Sequence, residues 1–258
     1  MIKTEKEIQG IKASAKILVE ALELVEKNIK AGVTTLDLDK IAYDYITSQG
    51  AKPAFKGHHG FPNSICKAVN DELVHGIPND TPLQDGDIIT IDCGVKLNGF
   101  FSDSAFTKVV GNNPKGQKFI DDCQEVLYKA LKFVKAGMRV GDLGHYIENT
   151  TKEYGYKIVK DLTGHGIGKS LWEPPQILNF GKPNTGPTLH ENMIVCIEPI
   201  IAETSGQMVT LDDDWTIVSA NGCIGCQWEH MVRITKEGCE ILTLRSNENL
   251  ERNQKSLA

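Results

Sequence analysis

The 258-residue chain sets 28 basic against 34 acidic residues, a formal charge of -6, which excludes a nucleic-acid or anionic-membrane partner held by bulk charge. With 40% hydrophobic and 24% charged residues it has the make-up of a globular protein, long enough to bury roughly three-quarters of its unfolded surface. No run of 18 apolar residues occurs, and the start, MIKTEKEIQG, is charged where a secretory signal would be apolar, so neither a membrane span nor a signal peptide is expected.

In chain order the apolar spacing predicts a helix over about 5 to 27, a KAG turn, and a second helix over 35 to 49, which Asp37 is placed to open and Gly50 to close. A hairpin follows over 87 to 110, with β-branched runs flanking Asn98-Gly99. The pattern then begins again: a helix over about 117 to 135, a second KAG turn, and a helix over 141 to 154 with Asp142 at its start and Gly155 at its end. IKAGVTTLDLDKIAYDYITSQG (29 to 50) lies on VKAGMRVGDLGHYIENTTKEYG (134 to 155) without a gap, and LQDGDIITID (83 to 92) lies on LHENMIVCIE (189 to 198). Two matches in one register, 105 and 106 residues apart, mark an internal duplication. With no Pro/Ser-rich linker, the expectation is one α+β domain over 1–258, an antiparallel sheet covered by helices, in two pseudo-symmetric halves of approximately 1–110 and 111–245. A cleft between such halves is the natural place for a site.

The hairpin carries Asp92 and Asp103. If Lys96 to Gly99 forms a four-residue loop, Val95 pairs with Phe100 and the two carboxylates face each other about 5 Å apart at Cβ. The second half adds Glu198, at the end of MIVCIEP, and Glu229, which interrupts CQWEHMVRIT. Four acids embedded in strand patterns repel and resist burial unless cations sit among them. His165, between glycines in GHGIGKSLWEPP (164 to 175), lies outside any helical or strand pattern, and its flanking glycines would let the backbone approach a crowded centre. Hard carboxylate oxygens with one imidazole suit divalent Mn, Fe, Co or Zn, and four acids exceed what a single catalytic ion takes, so the residues read as a dinuclear metallohydrolase centre. The seven cysteines, odd in number and mostly in apolar strands, fit reduced thiols in a cytoplasmic protein; Cys223 and Cys226 form a CxxC with no second pair at zinc spacing and are expected as buried or loop thiols.

The ordered set Asp92, Asp103, His165, Glu198 and Glu229, in the contexts ITIDCG, FFSDSAF, TGHGIG, CIEP and WEH, resembles the five metal ligands of the methionine aminopeptidases, which share the pita-bread fold. VNDELVHGIP (69 to 78) resembles the stretch holding that family's extra active-site histidine, here His75, and the similarity runs from the first helix to GCEILT at 238 to 243. The short form without an N-terminal extension is similar to the bacterial type I enzymes. The resemblance implies removal of the initiator methionine from nascent polypeptides when the next residue is small. Asp103 and Glu229 would bridge two divalent ions, Asp92 would complete one, and His165 with Glu198 the other. A bridging hydroxide would attack the scissile carbonyl, with Glu198 as proton shuttle and His75 near the scissile amide. The methionine slot would include Phe61, Cys66, Trp215 and Leu171, the last at a position often aromatic in the family.

One departure stands out. Seven residues after the ligand histidine the type I pattern places a second substrate-facing histidine, and this chain has Trp172, whose indole donates one hydrogen bond but neither accepts nor titrates. Two other readings stay open: a related pita-bread peptidase acting on X-Pro bonds, against which the small size and NDELVHGIP count, and a non-catalytic pita-bread protein that binds a partner. Nothing in the residues demands more than a monomer. Transient ribosome contact is compatible with the task, and no residue signals it.

Overall fold

The computed structural model describes residues 1–248; residues 249–258 of the expected domain lie outside the described residues. Helix α1 (Glu5–Asn28) starts at Thr4, whose backbone N–H donates to Glu7 Oε2 at 2.7 Å while Glu7 N–H donates back to Thr4 Oγ1 at 3.4 Å. This reciprocal cap satisfies two of the N–H groups a helix start leaves free. Helix α2 (Thr35–Ser48) is capped likewise by Thr34 and Asp37, and in helix α4 (Val140–Glu153) Asp142 accepts the Arg139 N–H at 2.9 Å. Both aspartates thus act from the third position of their helices, facing back to the residue before the start. Gly50 and Gly155 end these helices at φ +72° and +86°, left-handed conformations that glycine adopts without steric cost. Helix α3 (Pro114–Phe133) opens three residues before the periodicity indicated, because Asn113 accepts the Gly116 N–H at 2.8 Å and Pro114 suits a first helical turn.

The first sheet contains strands β1 (Ile65–Val69), β2 (Ile88–Leu97) and β3 (Phe100–Val109), with β2 paired antiparallel to both others. The larger second sheet contains β4 (Gly164–Gly166), β5 (Glu173–Ile177), β6 (Ile194–Ile197), β9 (His230–Ile234) and β10 (Cys239–Ile241); a smaller one holds β7 (Ile200–Ala202) and β8 (Gly225–Gln227). All these pairings are antiparallel, so the expected α+β class is what the chain adopts. Ile8, Ile11, Leu18, Leu22 and Val25 line the buried stripe of α1, and Ser14 Oγ in that stripe donates to Val95 O at 3.0 Å, fixing the helix on the hairpin.

One hydrogen-bonding pattern occurs twice, at the two stretches whose sequences match. Gly32 N–H donates to Leu83 O at 2.8 Å and Leu83 N–H to Val33 O at 2.9 Å; in the other half Gly137 donates to Leu189 O at 2.8 Å and Leu189 to Met138 O at 2.7 Å. Ser104 Oγ donates to Glu229 O, and Thr107 Oγ1 to Gln227 O, both at 2.7 Å, while Glu229 N–H donates to Ala105 O at 3.0 Å. These three bonds join β3 to the end of β8 and to Glu229 just beyond it, so the acid-bearing segments lie side by side.

Two expectations need correction. The hairpin loop has two residues, not four: Leu97 pairs with Phe100, and Asn98 and Gly99 take φ +49° and +84°. Two consecutive positive φ values match the turn that the right-handed twist of the strands favours, and Asn-Gly tolerates it. Asp92 therefore pairs with Ala105 and Asp103 with Gly94, one diagonal step apart. The second correction concerns Gly164-His165-Gly166, which forms strand β4; three residues are too few for a period, and glycine weakens strand propensity. Its glycines are required by neighbouring backbone: a Cβ on Gly164 would meet Cys196 O at 2.3 Å, and one on Gly166 would meet Pro174 O at 2.6 Å.

Candidate metal centre

Asp92 and Asp103 project from the same face of the hairpin because each is an even number of positions from Ala105 in the paired strands. Glu198 lies in the break between β6 and β7, and Glu229 in the break between β8 and β9; Ile197 pairs with His230 and Ile200 with Gln227, so the interruptions coincide across the pair. His165 enters from β4, the next strand over. All five side chains line one cavity of about 150 Å³.

The centre is largely buried and strongly acidic. Asp103 is 4% exposed, Glu198 8% and Glu229 1%. Burial first, then mutual repulsion, pushes the carboxyls of Asp103, Glu198 and Glu229 well above the usual range. Burial raises Asp92 to about 7, against the pull of hydrogen bonds from Asp103 and Gln227. Asp92 Oδ1, Asp103 Oδ1 and Glu229 Oε1 are buried without a hydrogen-bond partner. Three partnerless carboxyl oxygens in one cluster are suited to hold a cation, since leaving such groups without a partner costs about 1–3 kcal/mol each, more when charged. His165 fits the same set. Its Nδ1 lies 2.9 Å from Gly166 O, an arrangement that assigns the proton to Nδ1 and leaves the Nε2 lone pair facing Asp103 Oδ2 and Glu198 Oε1, both at 3.7 Å. A lone pair aimed at two carboxylates is repulsive until a cation lies between them.

Cys196 is a neighbour the sequence reading missed. Atoms of Asp103, His165, Cys196 and Glu229 all lie within 4.8 Å of one another, at a spacing that suits a metal ion. Burial and the adjacent acids push the Cys196 thiol well up, so it stands beside Glu229 as a neutral thiol and not as a thiolate donor. Asp92 and Glu198 are the better partners for hard ions. The signal existed: Cys196 stands two residues before Glu198, on the same strand face. Gln227, whose Nε2 is 3.4 Å from Glu198 Oε2, and Asn179, which donates to Glu198 O at 2.9 Å, carried no such signal.

The remaining expected residues, His75, Phe61, Cys66, Leu171, Trp172 and Trp215, line the same cavity. Phe61 and Trp215 meet edge-to-face with ring centroids 5.1 Å apart; Leu171 is 2% exposed and Cys66 7%. His75 takes φ +60°, a conformation uncommon for a side-chain-bearing residue, and burial lowers its pKa. Trp172 is 51% exposed, at the cavity mouth. His58, also missed, lines that mouth; the GHHG loop around it offers no period from which to read it. All seven cysteines are free thiols, and the CxxC pair diverges: Cys226 meets Cys123, whereas Cys223 Sγ lies 3.1 Å from Ser219 Oγ.

Buried carboxylates and an imidazole, facing an apolar slot across the junction of a duplicated antiparallel fold, define a metal-dependent hydrolase. The description of metallopeptidase family M24 matches residues 9–236. The methionine aminopeptidase of Clostridium perfringens is 42% identical over 245 residues, 95% of this chain and 98% of that protein. The crystal structure of methionine aminopeptidase from Rickettsia prowazekii superposes with a TM-score of 0.92 at 36% identity, over 95% of this chain and 99% of the other. The prolidase of Pyrococcus horikoshii, by contrast, matches at a TM-score of 0.77 and 26% identity, over 64% of its own length. The chain belongs to metallopeptidase family M24 and, within it, to the methionine aminopeptidases, with their pita-bread fold.

Proposed function

We propose that residues 1–258 form one catalytic domain that releases the N-terminal methionine of nascent polypeptides, with Asp92, Asp103, His165, Glu198 and Glu229 holding two divalent ions drawn from Co, Mn, Fe or Zn. The observation that carries this reading is the cluster of partnerless buried oxygens on Asp92, Asp103 and Glu229 at the floor of an apolar cavity. Bound ions would supply Lewis acidity to the scissile carbonyl and acidify water beside it. Asp103 and Glu229, which offer oxygens within 4.8 Å of the His165 ring nitrogen, would hold the ions together with it. Glu198 is held by Gln227 at 3.4 Å on the wall of the cavity, where its carboxylate would be placed to pass a proton to the departing amine. His75, neutral at pH 7 because burial lowers its pKa, can hydrogen-bond the scissile amide without adding charge.

The methionine side chain goes to the slot of Phe61, Cys66, Leu171 and Trp215. Burial pushes the Cys66 thiol well up, so that wall is uncharged, and a flexible thioether makes favourable contacts with aromatic edges such as those of Phe61 and Trp215. Trp172 at the mouth contacts the part of the substrate that trails outward. Seven free thiols and bacterial relatives support a cytoplasmic setting, and no helix among the described residues is long and apolar enough to cross a membrane.

Purified protein supplied with Mn, Co, Fe or Zn should release methionine from Met-Ala-Ser and leave Leu-Ala-Ser intact. Release from neither with any of these ions overturns the reading. Cleavage confined to an X-Pro peptide would transfer the chain to the prolidase-like branch.

A further inference from the structure

We propose, building on the aminopeptidase reading above, that His58 is a substrate-contacting residue whose Nε2 hydrogen-bonds the first peptide group beyond the scissile bond. The cavity has direction. Its deep end is closed by Phe61 and Leu171, 3% and 2% exposed, and its mouth is marked by Trp172, 51% exposed. A peptide with its first side chain in the deep end and its scissile bond over the acids has to leave through that mouth. His58 is part of the mouth: it lines the cavity and meets Trp172 edge-on, ring centroids 4.8 Å apart at 80°.

The Nε2 atom of His58 is buried and has no hydrogen-bond partner. A nitrogen in that condition is destabilising relative to a paired one, and an incoming peptide group is what could pair with it. The backbone that carries the ring is held at the rim. The His58 N–H donates to Phe55 O at 2.9 Å, Phe61 N–H donates to His58 O at 2.9 Å, and Gly57 N–H donates to Phe61 O at 2.7 Å. These bonds close a tight loop with Gly57 at φ +83°, His59 at +47° and Gly60 at +92°. The loop runs directly into Phe61, so the position of His58 is tied to the wall that receives the methionine side chain.

Chemistry singles His58 out from its neighbour. The Trp172 indole can donate one hydrogen bond and accept none, whereas a neutral imidazole can do either according to tautomer. Burial, and then the nearby His59, lower the pKa of His58 and so favour the neutral ring near pH 7. A peptide group entering the mouth brings both an N–H and a C=O that lose water, and His58 is placed to satisfy one of them.

The test uses two substrates, Met-Ala-Ser and methionine p-nitroanilide, the second having no peptide group beyond the scissile bond. In the metal-loaded full chain, His58→Phe keeps a ring against Trp172 and removes both nitrogens. We expect it to lower kcat/KM on Met-Ala-Ser about tenfold, the effect of one buried hydrogen bond, with less than about a twofold change on the anilide. His58→Gln, which keeps a donor and an acceptor, should recover most of the loss, as should the double exchange His58→Phe with Trp172→His, which returns an imidazole to the same rim. Equal losses on both substrates, or no loss on either, would overturn the assignment. Wild-type protein inert on both would remove the aminopeptidase reading and this inference with it.

Discussion

Asp92 and Asp103 meet on a diagonal: Asp92 is paired with Ala105 and Asp103 with Gly94, and both carboxyl groups line the same cavity. The offset puts a small residue, Ala105, opposite Asp92. There the second half enters, with Glu229 N–H bonded to Ala105 O at 3.0 Å.

Asp103→Ala is expected to move activity and stability in opposite directions. Asp103 lies within reach of both His165 and Glu229, so its loss should reduce bound metal by at least one equivalent, and kcat by more than about a hundredfold, since even outer-shell changes around a metal can cost that much. The metal-free variant should nonetheless melt higher than metal-free wild type, because one of four mutually repelling buried acids is gone. Elemental analysis, initial rates and melting of both chelated proteins check the pair. A metal-free variant no more stable than metal-free wild type would show that the acids are not in conflict.

Chelation itself supplies a second prediction. Ions that bind the folded centre and not the unfolded chain stabilise by about 2.7 kcal/mol at a free concentration 100-fold above Kd, or about 5–10 °C in Tm for a chain of this size. Removing metal should lower Tm by that order, and titrating Mn or Co back should restore it with an apparent Kd matching that for activity. A Tm indifferent to chelator would argue that the buried acids are simply protonated.

The legible parts of this protein are those with a period or a repeat. The four long helices, the KAG turns and the Ile88/Ile194 register of the duplication follow from spacing alone, and they agree with the paired bonds Gly32 to Leu83 and Gly137 to Leu189. Aspartates and glutamates placed in apolar strands announced themselves by the cost of burying them. The hairpin register was misread because a four-residue and a two-residue loop differ only in the backbone signs of Asn98 and Gly99, which the apolar pattern does not encode. His58, Gln227 and Asn179 were invisible for a related reason: they reach the centre by tertiary approach of loops and sheet partners, to which local pattern is blind.

Gly164→Ala tests whether the close strand approach at β4 is what orients His165. The added methyl would meet Cys196 O at 2.3 Å, a backbone atom in the adjoining strand β6 that cannot rotate away. Overpacking of this kind costs about 1–3 kcal/mol, and the strained strand should also displace the imidazole and weaken metal binding. Gly238→Ala is the control, because nothing lies within 4 Å of its added carbon. Thermal melts and metal content of the two variants decide the matter: similar behaviour would mean that β4 yields without consequence.

Glu248 gives the pH prediction. Burial would raise its carboxyl, but the His230 ring, with Nε2 3.2 Å from Oε1, and Arg245, with Nη2 at 3.2 Å and its backbone N–H 2.8 Å from Oε2, hold it down at about 2. The Tyr128 hydroxyl donates to the same Oε1 at 3.0 Å. Arg245 is 2% exposed and stands over the rings of Phe106 and Trp228, so Glu248 neutralises a cation buried beneath the segment that carries Glu229. A carboxyl whose folded pKa lies below its unfolded value near 4.5 stabilises fully above that value, and loses the contribution as pH falls from about 4.5 towards about 2. The shift corresponds to about 3 kcal/mol. Glu248→Gln should therefore be less stable than wild type at pH 6 to 7, by roughly that amount, and the gap should narrow steadily below pH 4.5. Urea melts of both proteins from pH 3 to 7 measure it. A gap constant across that range would mean that the carboxylate charge contributes nothing and that only the shape of the side chain matters.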